Sequence, residues 1–184
     1  INRIDFNQIK VGTIDKLAEE VMRQNKQPGT NNPIVIEKFV ANSAMIKILS
    51  ENERYKSESL QECLKSLTGK EKLDEPSKMS EILLEIKDRI YQDKLDLDEL
   101  THEIKHDKGM EIALDCIKKY RDILIERNTM DFTILESRFL KLLKQGQLDL
   151  FLDSVKIVLI DEYQDTNLIQ EEIYFTIAKS ALKN

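Results

Sequence analysis

Tryptophan is absent from the sequence, proline occurs three times and glycine five times. So few turn-forming residues exclude a fold of many short strands and tight turns, and favour long helices. Cysteine is scarce too. Cys63 and Cys116 stand alone, with neither C-x-x-C spacing nor a nearby histidine pair, which leaves two buried thiols in a reducing compartment as the expectation. Long apolar runs are missing. Ile157 to Ile160 is among the longest, far short of the roughly 18 residues of a membrane span. No secretory signal is visible, so a cytoplasmic location without a membrane partner is expected. Positive charge is not in excess either: 28 Lys and Arg face 34 Asp and Glu, a net charge of -6. That argues against a wholly basic nucleic-acid surface but leaves room for a local basic groove.

What is present is charge and helical periodicity. Charged residues make up 34% of the 184 positions, and the length suits one domain, or a small domain carrying an insertion. The chain opens with Ile1 and not Met, which suggests a piece of something longer. Ile9 to Ile14 is short and β-branched and predicts a strand. Asp15 is placed to cap a helix whose stripe is Leu17, Val21 and Met22. Asn25 to Pro33 is a loop by composition. Between Ile34 and about Arg127 the pattern is helical. Leu60, Cys63, Leu64 and Leu67 form one stripe, with Gly69 as its stop. Met79, Ile82, Leu83, Ile86 and Ile90 form another behind Pro76 and Ser77. Met110, Ala113, Leu114, Ile117, Tyr120 and Leu124 form a third. One-sided stripes on charged helices predict a small bundle with a shared core.

From Met130 onward, Ile134, Leu135, Phe139, Leu142 and Leu143 mark a helix that Gly146 can end. Val155 to Ile160 is apolar at every position but Lys156. Lack of alternation predicts a strand buried on both faces, as in parallel sheets covered by helices. Asn167 and Gln170 have capping-box spacing, and Ile173, Tyr174, Ile177, Ala178 and Ala181 continue the helix behind them. A helical insertion within an α/β layer domain fits this order.

Between that strand and that helix stand Asp161 and Glu162. In open α/β sheets ligands bind beyond the carboxyl ends of the strands. Paired carboxylates there suit nucleotide hydrolysis: one can hold a magnesium ion bridging phosphates, the other can orient or deprotonate water. The plain alternative is a solvated turn whose acids favour the helix dipole. A calcium loop fits poorly. Asp161, Asp165, Asn167 and Glu172 have suitable spacing, but Tyr163 takes a ligand position and Thr166 stands where glycine is needed.

The run Ile160 to Asn167, IDEYQDTN, with Gln170 following, resembles the Walker B segment of superfamily 1 DNA helicases of the UvrD/Rep type. Val11 to Leu17, VGTIDKL, resembles the Gly-Thr segment that contacts single-stranded DNA in that family, with Asp15 where histidine is common. Met130 to Leu143 resembles the Asp-Phe helix that precedes Walker B there. The resemblance implies an α/β, predominantly helical fold: a partial RecA-like P-loop NTPase domain with few parallel strands and an all-helical inserted subdomain. Residues 1–24 and 131–184 would belong to the ATPase domain and 25–130 to the insertion.

The same resemblance implies ATP and magnesium as cofactors and single-stranded and duplex DNA as partners. Asp161 would coordinate magnesium and Glu162 would activate water. Gln164 and Asp165 would couple the nucleotide site to the DNA site. Gly12 and Thr13 would lie near the DNA backbone, and the insertion would reach DNA through local Lys and Arg, with Lys118, Lys119 and Arg121 one such cluster. No Gly-x-x-x-x-Gly-Lys-[Ser/Thr] loop occurs in the sequence, so residues 1–184 alone are expected not to hydrolyse ATP. An incomplete sheet also leads us to expect self-association through exposed strand edges. The reading from another class is a non-catalytic helical interaction module whose acidic turn only caps a helix.

Overall fold

Most helix starts fall where the sequence supplies a cap. A computed structural model describes residues 9–25, 33–69, 73, 75–104 and 106–182. Helix α1 (Ile14–Gln24) is followed by strand β1 (Ile34–Val35), and α2 (Lys38–Glu51) leads through a 3-10 turn at Glu53–Lys56 to α3 (Glu58–Thr68). Ser57 caps α3, and Gly69 ends it in the left-handed conformation at φ 66°, a backbone shape that costs glycine little. Helix α4 (Pro76–Gln92) starts on its proline, where a missing N–H costs nothing. Then come α5 (Leu97–Glu103), capped by Asp96, and α6 (Lys108–Glu126), capped by Asp107. Strand β2 (Thr129–Met130), α7 (Phe132–Lys144), α8 (Asp149–Ser154) and α9 (Leu168–Ala181) complete the order. The molecule is thus mostly helical, with one two-stranded parallel sheet among the described residues.

That sheet joins distant parts of the chain. β1 pairs with β2 in the register Ile34 to Thr129 and Val35 to Met130. The Ile34 and Ile36 amides donate to the Asn128 and Met130 carbonyls at 3.0 and 2.8 Å. The helical run α2 to α6 therefore leaves and returns at one place. Its apolar faces form one core, with Met45, Leu60, Leu83, Leu114 and Tyr120 among the buried residues. A second core gathers Ile14, Ala18 and Val21 of α1 with Met130, Phe139, Leu152, Ile169 and Ile173. Ile134 packs against both. Both cysteines are buried, and burial pushes the Cys116 thiol up to about 12. Helices α3 and α6 approach closely at Gly109, where an added Cβ would stand 2.3 Å from the Ser59 carbonyl oxygen.

Two expected strands do not form. Residues 9–13 are irregular, and Ile14 already belongs to α1. The cap is Thr13 and not Asp15: the Thr13 Oγ1 accepts from the Lys16 amide at 3.3 Å. Ile9 and Val11 are exposed. A β-branched run without a neighbour to share its hydrogen bonds gains nothing from extension, and the stripe of Ile14, Ala18 and Val21 wins Ile14 for the helix. Val155 to Ile160 is likewise irregular. Ile157 and Leu159 are 78% and 92% exposed, so the expected double-sided burial is absent. Only Val155 and Val158 pack against the second core. Leu67 also departs from its expected stripe and is exposed. The strands that do form, β1 and β2, lie in segments with no strand expectation. The loop expected over Asn25 to Pro33 lies outside the described residues except at its two ends.

Candidate functional site

The acidic turn is built by the segment 161–167. Asp161, Glu162, Gln164 and Asp165 are all exposed. The Glu162 backbone takes the left-handed conformation at φ 50°. For a residue with a Cβ this costs of order 1 kcal/mol, so the turn is held by its surroundings. The Glu162 amide donates to Asp161 Oδ1 at 3.0 Å, and Gln164 Nε2 donates to Glu162 Oε2. A 3-10 turn over Tyr163–Asp165 follows, closed by the Asp165 amide on the Glu162 carbonyl at 2.9 Å. Thr166 Oγ1 donates to the Tyr163 carbonyl at 2.8 Å, and the Tyr163 hydroxyl donates to Glu171 Oε1. The Asn167 side chain accepts from the Gln170 amide at 2.9 Å while Gln170 Oε1 accepts from the Asn167 amide at 3.3 Å. That reciprocal box fixes the start of α9.

This geometry sets the chemistry the turn can perform. Asp161, Glu162 and Asp165 are within five consecutive positions, ahead of a capped helix. Among the described residues no group of three or more His, Cys, Asp or Glu side chains could by itself hold a metal ion. Magnesium does not need one. It keeps several waters and is commonly bound by one or two carboxylates plus substrate phosphates. An exposed Asp161 with its neighbour Glu162 fits that partial role.

Gly12 and Thr13 are exposed at the start of α1. A Cβ at Gly12 would meet only the Lys16 side chain, at 3.6 Å, so packing does not require glycine there. Helices α1 and α9 both pack against α7, and side chains from all three meet. Glu136 of α7 is 4% exposed, and its Oε1 accepts from Gln170 Nε2 at 2.7 Å. Burial and the facing Asp15 push the Glu136 carboxyl up to about 7, against the hydrogen bond from Gln170. Asp15 is itself raised, chiefly by burial.

Sequence reasoning passed over Glu136, yet a signal was there. Glu136, Phe139, Leu140 and Leu143 share one helical face by spacing, so the carboxyl interrupts an apolar stripe. The Lys118, Lys119 and Arg121 cluster is partly absorbed within the fold. Lys118 and Arg121 both pair with Asp98, at 2.8 and 3.1 Å.

Comparison with known proteins places this chain in a family. The UvrD/REP helicase N-terminal domain matches residues 2–183. A probable DNA helicase of Mycoplasma pneumoniae is 38% identical over 68 residues, 36% of this chain and 13% of that protein. An ATP-dependent helicase/nuclease subunit of Clostridium perfringens is 34% identical over 83 residues, 40% of this chain and 6% of that protein. The matched segments thus span a small part of these relatives. No solved structure matches significantly. With almost its whole length matched, the chain belongs to the UvrD/REP helicase family, within its N-terminal domain.

Proposed function

We propose that this chain supplies the magnesium-binding and water-activating part of an ATP-dependent DNA helicase. The observation that carries the reading is the exposed turn of Asp161 and Glu162 between an apolar segment and a capped helix. Asp161 binds magnesium, which when present neutralises charge on the nucleotide phosphates. Glu162 accepts the proton of the attacking water. Gln164 orients Glu162 through the hydrogen bond between them. Asp165 closes the turn on the nucleotide side. Gly12 and Thr13 lie along the track of single-stranded DNA, and the helical run α2 to α6 meets DNA beside it. In this proposal residues 1–24 and 131–184 are parts of a RecA-like ATPase domain, and 25–130 is an inserted helical subdomain. The two separate cores and the β1–β2 pairing at the ends of the run support that division.

Residues 1–184 contain no phosphate-cradling glycine loop, so the chain alone is proposed to be inactive in ATP hydrolysis. The test is the magnesium dependence of ATP hydrolysis by the full-length protein. Asp161→Asn removes one charge from the metal site, so the magnesium concentration for half-maximal turnover should rise by about tenfold or more, the order that loss of one supporting interaction causes. An unchanged magnesium dependence in Asp161→Asn, or rapid magnesium-dependent hydrolysis by residues 1–184 alone, would overturn the assignment.

A further inference from the structure

Among the described residues one buried side-chain oxygen has no hydrogen-bond donor, and it is Asp15 Oδ1. The side chain that Asp15 meets is another carboxyl, Glu136. Two ionised carboxylates offer each other acceptors only. A proton on one of them turns the contact into a short charge-assisted hydrogen bond. Glu136 is the more deeply buried of the two residues. Glu136 Oε1 already accepts from Gln170 Nε2 at 2.7 Å.

We propose that Asp15 and Glu136 share one proton, and that this pair is a positioning device fastening the Gly12–Thr13 turn to the start of α9 behind the acidic turn. Asp15 lies in the first turn of α1, two residues after the Thr13 cap. Gln170 belongs both to the α9 capping box and to the Glu136 hydrogen bond. One chain of contacts therefore runs from Asp15 through Glu136 and Gln170 to Asn167. The proposal rests on the helicase reading only for what the two ends do, since the shared proton itself stands on the buried contact.

The groups facing the pair come from each helix packed on α7. Asp15 is on α1. Gln170, Asn167 and Tyr174 belong to α9 and its cap, and both carboxyls push the Tyr174 hydroxyl upward, though burial does so more. From α4, Lys87 and Asp88 engage Asp131 and Thr133 earlier on α7. The Glu136 carboxyl is raised in the folded chain from an ordinary 4.5 to about 7. Between those values the folded state holds the proton that the unfolded state has released, so stability falls as pH rises through this window and levels off above it.

Thermal unfolding of the chain between pH 5 and pH 8 tests the pair. The wild-type midpoint should fall by about 3 °C or more across the window. Glu136→Gln keeps an acceptor for Gln170 and a donor for Asp15 without a titrating proton. Its midpoint should lose that slope and exceed the wild type at pH 8. Asp15→Asn, which removes the facing acid but leaves Glu136 buried, should lessen the slope without abolishing it, since burial is the larger cause. Parallel slopes in all three proteins, or a Glu136→Gln midpoint below wild type at pH 8, would overturn the shared proton.

Affinity of the full-length protein for single-stranded DNA at fixed salt tests the positioning. Wild type should weaken between pH 6 and pH 8 by about fivefold more than Glu136→Gln, the low end of ordinary coupling between sites. Equal weakening would overturn the positioning role while the slope stands. Absence of DNA binding in both proteins would overturn the helicase reading, and with it that role, while the shared proton stands on the melting data.

Discussion

Lys87 is 3% exposed, and its ammonium meets Asp131 Oδ2 at 2.5 Å and Asp88 Oδ1 at 2.6 Å. The Tyr120 hydroxyl donates to the same Asp131 oxygen at 2.9 Å. Burial, and then the Asp131 charge, raise that hydroxyl's pKa. The other Asp131 oxygen caps α7 by accepting from the Ile134 amide at 3.1 Å. One carboxylate thus joins α4, α6 and α7 where the two cores meet. Removing it strands a buried ammonium without its main partner, which is worse than losing the pair entirely. Asp131→Ala should destabilise the chain by roughly 3–5 kcal/mol, whereas Tyr120→Phe should cost roughly 1.5–3 kcal/mol. Urea midpoints of both variants check the order. A loss under about 1 kcal/mol for Asp131→Ala, as for an exposed ion pair, would contradict it. The Asp131 cap follows from a general rule for helix starts. Its buried ion pair does not, because Lys87 lies 44 positions earlier and nothing local marks a lysine as buried.

At the scale of elements, local signals gave what depends on local chemistry. The Gly69 stop, the proline start of α4, the stop at Gly146 and the Asn167–Gln170 box are all found in place. Each is settled within about four residues of backbone, so adjacent residues suffice to predict it. Strands are different. A strand's hydrogen bonds belong to a neighbour, and the apolar run Val155 to Ile160 has none among the described residues. Its composition still reports the environment it suits, a covered sheet, even though Ile157 and Leu159 stand in solvent. Such a segment is a template for pairing with another chain. Residues 1–184 should therefore associate as concentration rises, and the double substitution Ile157→Lys and Leu159→Lys should keep them monomeric. Sedimentation equilibrium reads this directly: a wild type that remains monomeric at every concentration would remove this segment as the cause. The pair β1 and β2 was illegible for the opposite reason. Two residues each are too few to show any period.

At the scale of the whole molecule, two cores are connected by a parallel pair and a buried ion-pair network. The acidic turn lies on the surface, behind the core that holds α1, α7 and α9. The segment Ile160 to Asn167 was legible as a turn ahead of a capped helix because its signals are local. The pairing of Asp15 with Glu136 was not, because the two lie more than a hundred positions apart in the sequence. No described helix is long and apolar enough to cross a membrane. The net charge of -6 makes any DNA contact a matter of local patches.

The central claim is that Glu162 activates water for ATP hydrolysis, and single-turnover hydrolysis by full-length Glu162→Gln addresses it most directly. Loss of a general base should slow the chemical step by about 100-fold to 10,000-fold, while ATP affinity stays within a few-fold of wild type because the phosphate and magnesium contacts are kept. A Glu162→Gln protein that hydrolyses bound ATP at the wild-type rate would contradict the account.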